Sequence, residues 1–130
     1  MKGSYILLIE VKKNSRIRVG SLGRIPFKKG LYAYVGSAMN NLEARINRHL
    51  RKNKRTHWHV DYLLKNPNVK IRQIFYRESK KKEECEIVKK VSQCGEPIKG
   101  FGCSDCKCKS HLFKLRTDKF VKNLKMINFK

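Results

Sequence analysis

The sequence predicts an α+β domain: a small, three-stranded, mainly antiparallel sheet flanked by helices. Three observations predict it. Residues 5–11 and 31–35 are β-rich apolar runs bounded by turn-forming segments. Residues 42–50 and 80–91 carry apolar side chains at helical spacing. No repeat or low-complexity linker divides the 130 residues, a length suited to one domain with one modest core.

The elements follow in order. Tyr5-Ile6-Leu7-Leu8-Ile9-Glu10-Val11 reads as a buried strand, closed by the polar turn Lys12-Lys13-Asn14-Ser15. Arg16 to Val19 is a second β-prone stretch, broken by Gly20 and Gly23. Lys28-Lys29-Gly30 turns the chain into Leu31-Tyr32-Ala33-Tyr34-Val35, a further strand that ends at Gly36-Ser37. The first forty residues therefore predict an antiparallel hairpin with an irregular return. Gly36 stands where a Cβ would crowd an incoming backbone or ligand. Asn40 or Asn41 caps the next helix, which puts Leu42, Ile46, His49 and Leu50 near one face. A short helix over Val60 to Leu64 stops at Pro67 and Asn68. Lys70 to Tyr76 alternates apolar and polar residues, as a half-buried strand does. Lys80 to Val91 is a helix with Cys85, Ile87, Val88 and Val91 as its apolar members. Gly95, Pro97, Gly100 and Gly102 mark a loop, and Leu112 to Leu115 is a last short strand. Phe120, Leu124 and Ile127 fit one face of a C-terminal helix. The expected division is a domain over residues 1–116 and a basic helix or tail over 117–130.

Charge is the strongest global signal. Thirty-two Lys and Arg stand against ten Asp and Glu, a formal net charge of +22. A polyanion rewards such a surface by releasing condensed counterions, so nucleic acid is the first partner to expect. An anionic membrane surface is the second, and the spread of charge over strands and helices disfavours it. No apolar run approaches the roughly 18 residues that span a bilayer. Met1 to Val11 lacks a small-residue cleavage site, so the expected location is the cytoplasm, with no membrane partner. Five cysteines in an odd, C-terminally clustered set suit metal binding or reduced thiols better than a secreted disulfide framework.

One set of residues carries chemistry. Tyr5 opens the first strand and Tyr34 lies near the end of its partner. Arg45 and His49 are four apart, so they share a helix face. Glu84 lies on a later helix. Phenol, guanidinium, imidazole and carboxylate are the groups that phosphodiester hydrolysis uses to orient water, stabilise developing charge and hold a metal. Each residue alone also suits core packing or a solvated helix face. Ser37, Arg48, His57 and His59 are further candidates for phosphate contact. His57 and His59 equally suit a bridge to the cysteine loop, with Trp58 and Tyr62 packing helix to sheet. Cys103, Cys106, Cys108 and His111 read C-x₂-C-x-C-x₂-H. Four such ligands suit Zn²⁺, whereas the tight C-x-C spacing also suits a hydrogen-bonded turn.

Gly3-Ser4-Tyr5, Tyr34-Val35-Gly36-Ser37, Asn41-Leu42-Glu43-Ala44-Arg45 with His49, and Glu84-Cys85-Glu86-Ile87-Val88-Lys89 followed by Pro97 resemble, in order, the motifs of the GIY-YIG nuclease superfamily. His57-Trp58-His59-Val60-Asp61-Tyr62-Leu63 and Gly100-Phe101-Gly102-Cys103-Ser104-Asp105-Cys106-Lys107-Cys108, with His111-Leu112-Phe113, resemble its compact Uri-type branch. The resemblance extends to about Leu115. It implies a GIY-YIG-like fold and a DNA endonuclease with little sequence specificity, placed by analogy in repair or processing. Tyr5 would be general base or would orient the attacking water. Tyr34 and His49 would shape the hydrogen bonds around nucleophile and phosphate. Arg45 would bind the phosphate, and Glu84 would hold Mg²⁺ or Mn²⁺. The substrate would be single-stranded, branched or duplex DNA, bound by a monomer or weak dimer. The alternative is a non-catalytic, basic nucleic-acid-binding protein. Ser4 replaces the superfamily's usual β-branched Ile, a small change where its side chain is exposed. Glu83 and Glu86 flank Glu84, so the acid's register is fixed only to within a turn.

Overall fold

The computed structural model describes residues 2–51, 55–102, 108–116 and 126–129. The apolar run near the N-terminus forms β1 (Gly3–Val11). It pairs antiparallel with β4 (Gly30–Ala38), Tyr5 opposite Gly36 and Ile9 opposite Tyr32. The segment between them forms a ribbon of its own, in which β2 (Ser15–Arg18) pairs only with β3 (Arg24–Phe27). On the other side of β1 lies β5 (Val69–Glu78), also antiparallel. Among the described residues, three α-helices complete the framework: α1 (Leu42–Leu50), α2 (His59–Leu64) and α3 (Glu84–Val91).

The expectation of a small three-stranded sheet is corrected here. The main sheet has six strands in the order β6-β7-β4-β1-β5-β8, every neighbouring pair antiparallel. The additions are β6 (Gly95–Pro97), β7 (Leu112–Leu115) and β8 (Ile127–Asn128). β6 and β8, at three and two residues, are too short to show a hydrophobic period. β6 also contains a glycine and a proline, which read as a loop. They are strands because β7 and β5 offer them unpaired backbone groups. Pro97 is tolerated because β6 lies at the sheet's edge.

Both faces of the sheet are covered. Along β1 and β4, Tyr5, Leu7, Ile9, Tyr32 and Tyr34 enter one core, with Leu42 and Ile46 of α1 and Val60 and Leu63 of α2. Ile6, Leu8, Ala33 and Val35 point the other way, into a second core with Ile87, Val88 and Val91 of α3. The period of two in the sequence thus sorts the strands between two helical layers. On β5 the sorting changes phase. A bulge opposite Leu8 and Ile9 shifts the register, so the first core takes Val69 and Ile71 before it and Ile74 and Tyr76 after it.

Three local expectations also change. Ser4 is fully buried, and its hydroxyl has no hydrogen-bond partner among the described residues. The position at which the resemblance expects Ile therefore lies in the interior, not at an exposed site. The third helix begins at Glu84 rather than Lys80, after a turn in which the Ser79 hydroxyl donates to the Lys81 carbonyl (3.0 Å). Ile127 lies in a strand and is 59 % exposed; Phe120 and Leu124 lie outside the described residues.

Candidate active site

At the end of the sheet where β1 begins and β4 ends, a cavity of about 480 Å³ opens. Tyr5 and Tyr34 form its floor, both from the face that packs on α1. Gly36, opposite Tyr5, leaves room for the Tyr5 ring; a Cβ there would run into the ring carbon and the hydroxyl. The space is taken by this chain's own tyrosine, which corrects the expectation that Gly36 makes way for an incoming ligand or backbone.

The Asn41 side chain caps α1 by accepting from the Ala44 N–H (3.0 Å). The cap aims Arg45 and His49 at the sheet. His49 is 2 % exposed, and its Nε2 lies 2.6 Å from the Tyr5 hydroxyl. It stands behind Tyr5 and touches the site through that bond. Arg45 lines the cavity; its Nη1 donates to the Ser37 carbonyl (3.0 Å), and its guanidinium lies 4.4 Å from the Trp58 ring centre. Ser37 is itself a lining residue.

Glu84 arrives from the opposite face. It is the first residue of α3, which packs on the second core. Because that helix starts at the sheet's end, Glu84 reaches the same cavity as Tyr5 and Arg45, and its Oε1 lies 3.5 Å from His111 Nδ1. Its neighbours go elsewhere: Glu83 pairs with Arg77 (3.2 Å), and Glu86 is exposed. Glu84 is thus the one of the three acids that faces the cavity.

The electrostatics are set by burial. Burial pushes the Tyr5 phenol well above its ordinary value; Arg45 pulls it down, and Glu84 and Asp61 push it further up. Burial likewise raises Tyr34, with Tyr5 and Glu84 adding to the effect. Both phenols are neutral near pH 7. The Tyr5 hydroxyl therefore keeps its proton, and it is hydrogen-bonded to His49 Nε2 at 2.6 Å.

The other candidates have structural partners. Arg48 binds Asp61 through two 3.0 Å bonds, one to each carboxylate oxygen, and its Nη2 also donates to the Arg55 carbonyl. Asp61 is fully buried and accepts from the backbone N–H groups of His57 (2.8 Å) and Trp58 (2.9 Å). Burial alone would raise the Asp61 carboxyl, but Arg48 and the two N–H groups outweigh it and hold it below its ordinary value. The His57 ring packs on Trp58. His59 Nδ1 accepts from the Gly102 N–H (2.8 Å), which is the bridge to the cysteine loop; burial lowers its pKa. Arg48, His57 and His59 do not line the cavity.

Of the expected Cys/His set, Cys103 and Cys106 lie outside the described residues. Cys108 and His111 instead meet Cys85, and the ligand atoms of these three lie within 4.8 Å of one another. They form a candidate metal-binding group. Sequence reading missed Trp58 and Lys82 as cavity residues, Asp61 as the partner of Arg48, and Cys85 as a neighbour of Cys108. The available signal was the Asp three residues after Trp58, the spacing of an acid that caps its own helix.

Residues 4–128 match the family described as domain of unknown function DUF123. The chain belongs to the DUF123 family. No curated protein and no solved structure matches it. The DUF123 match runs from β1 to β8 and contains every residue of the cavity. Among the described residues of this DUF123 chain, no helix is long and apolar enough to cross a membrane.

Proposed function

We propose that this DUF123 protein is a metal-dependent endonuclease that hydrolyses phosphodiester bonds in DNA with little sequence preference. One observation carries the reading: the Tyr5 hydroxyl, the Arg45 guanidinium and the Glu84 carboxylate share one cavity, although they come from both faces of the sheet. The ordered resemblance to GIY-YIG nucleases supports it, and the net charge of +22 supplies affinity for a polyanion without reading bases. A place in DNA repair or processing rests on analogy with that superfamily.

Arg45 binds the scissile phosphate. The Ser37 carbonyl and the Trp58 ring fix its position, so the guanidinium meets the phosphate with little reorganisation. Tyr5 orients the attacking water and does not serve as a preformed phenolate, because burial keeps its proton on. His49, bonded to that hydroxyl, accepts the proton when Tyr5 passes one on from the water. Tyr34 closes the floor and packs edge-on against the His49 ring, 6.2 Å between ring centres.

Glu84 suits Mg²⁺ or Mn²⁺. Among the described residues it is the carboxylate that lines the cavity, and its near neighbour is an imidazole rather than a Lys or Arg. A hard cation takes one such carboxylate together with phosphate oxygens and water. When bound, the ion supplies Lewis-acid stabilisation of charge on the phosphate.

The test incubates purified protein with labelled single-stranded, duplex and branched DNA, in Mg²⁺, Mn²⁺ or EDTA. Cleavage is expected with either metal and not in EDTA. Tyr5→Phe and Glu84→Ala abolish it while DNA binding stays nearly unchanged. Binding with no cleavage of any substrate would establish the non-catalytic alternative. Cleavage undiminished in both Arg45→Ala and Glu84→Ala would belong to a contaminant and remove the proposal's support.

A further inference from the structure

We propose that Cys85, Cys108 and His111 form a zinc site that fastens the start of α3 to the segment leading into β7. Cys85 and His111 also line the cavity of the phosphodiester reading, but none of the three ligands acts on the scissile group in that reading, and zinc binding is measured without cleavage.

The donor set decides the metal. Two thiols and an imidazole are soft to borderline ligands, which suit Zn²⁺ and reject Mg²⁺. Their ligand atoms already lie within 4.8 Å of one another, although Cys85 and Cys108 are 23 residues apart. The two sulfurs are 3.0 Å apart. Two thiolates on one tetrahedral zinc, with Zn–S about 2.3 Å, sit roughly 3.8 Å apart, so a small opening of the pair admits the ion. Cys85 is at the surface and has room to make that movement. A disulfide would instead require closure to about 2.0 Å, and it would give His111 no part.

His111 supplies the fixed point. It is 2 % exposed, its N–H donates to the Phe101 carbonyl (2.8 Å), and its own carbonyl accepts from the Val35 N–H (2.9 Å). On either side of its peptide unit the chain is held as well, since the Ser110 hydroxyl both donates to the Leu112 carbonyl (2.7 Å) and accepts from the Leu112 N–H (2.9 Å). One ligand is thus immobile and two are adjustable. The ion's route is open, because Cys85 and Cys108 line a surface groove of about 520 Å³. Binding replaces the two thiol protons, which leave to solvent as the two S–Zn bonds form. The resulting unit, Zn²⁺ with two thiolates and a neutral imidazole, carries no net charge. It would brace the cavity wall at His111 and the helix start at Glu84 without altering the charge that a phosphate meets.

The test uses the full chain, reduced, stripped with EDTA and desalted. Zn²⁺ affinity is measured by competition with a chromophoric chelator, and Co²⁺ is used as a spectroscopic probe. One equivalent is expected, with a near-ultraviolet thiolate-to-cobalt band whose intensity corresponds to two thiolates. Cys85→Ser and Cys108→Ser should each weaken binding by at least about 100-fold and halve that band, while Cys94→Ser changes neither. Circular dichroism of the metal-free variants confirms that they fold. Failure of the reduced chain to bind Zn²⁺, or unchanged affinity in Cys85→Ser, would overturn the proposal.

Discussion

Arg45 and Arg48 lie three residues apart on one helix, and each guanidinium rests 4.4 Å from the centre of the same Trp58 ring. Their partners make them different residues. Arg48 is neutralised by a buried carboxylate through two bonds and closes a knot between α1 and α2. Arg45 is steered by a carbonyl, and among the described residues no carboxylate pairs with it. A carbonyl orients a guanidinium without cancelling its charge; a carboxylate does both. The same helix face therefore carries one arginine that holds the fold and one whose charge remains available to an anion in the cavity.

Substitutions at this pair should separate stability from activity, and the largest effect is expected on the closed side. Asp61→Ala leaves the Arg48 guanidinium without its buried partner and should cost roughly 3–5 kcal/mol in urea unfolding. A loss below about 1 kcal/mol, the worth of an exposed ion pair, would erase the distinction between the two arginines. Acid sharpens the same point. The Asp61 carboxyl is lowered in the folded protein, so its contribution is complete above the ordinary carboxylate range and is lost as pH falls through the lowered value. Asp61→Asn should therefore lose less stability than the parent chain over that acidic window.

Arg45→Ala should do the reverse: a roughly 10²–10³-fold fall in DNA cleavage, with stability within about 1 kcal/mol of the parent. If it unfolds as readily as Asp61→Ala, Arg45 is structural as well. Gly36→Ala probes the floor beneath the pair. The added methyl must displace the Tyr5 ring, costing about 1–3 kcal/mol by overpacking, and cleavage should fall with the Tyr5–His49 bond even where the protein stays folded. The smallest effect lies inside the sheet. Ser4→Ala removes a buried hydroxyl that has no partner among the described residues, and it should raise stability by up to about 1 kcal/mol with cleavage unchanged.

Much of the framework was legible because its signals are local. The apolar runs over β1 and β4, the Asn that caps α1 and the apolar spacing of α3 each depend on a few adjacent residues. The short edge strands were not, because two or three residues carry no period. The phase change in β5 was hidden for a related reason: the sequence shows apolar residues at 69, 71, 74 and 76, but only pairing with β1 reveals the bulge that keeps them on one side. In the site, Tyr5, Tyr34, Arg45, His49 and Glu84 could be named through the ordered motifs that resemble the GIY-YIG superfamily; spacing alone leaves each of them equally suited to packing or a solvated face. Arg48 could not be told from Arg45, since Asp61 is thirteen residues away. Cys85 read as an apolar helix position, and the thiol it meets lies across the fold.

The sequence by itself determined the α+β class, most of each helix face (Leu50, expected inward, is 47 % exposed) and the excess of positive charge. Tertiary structure alone decided the six-strand sheet, which arginine is neutralised, which of Glu83, Glu84 and Glu86 faces the cavity, and that side chains from opposite sheet faces meet at one end. The physical reason is range. Periodicity and capping act within a turn or a strand, whereas partner choice depends on chain segments brought together only when both faces of the sheet are covered.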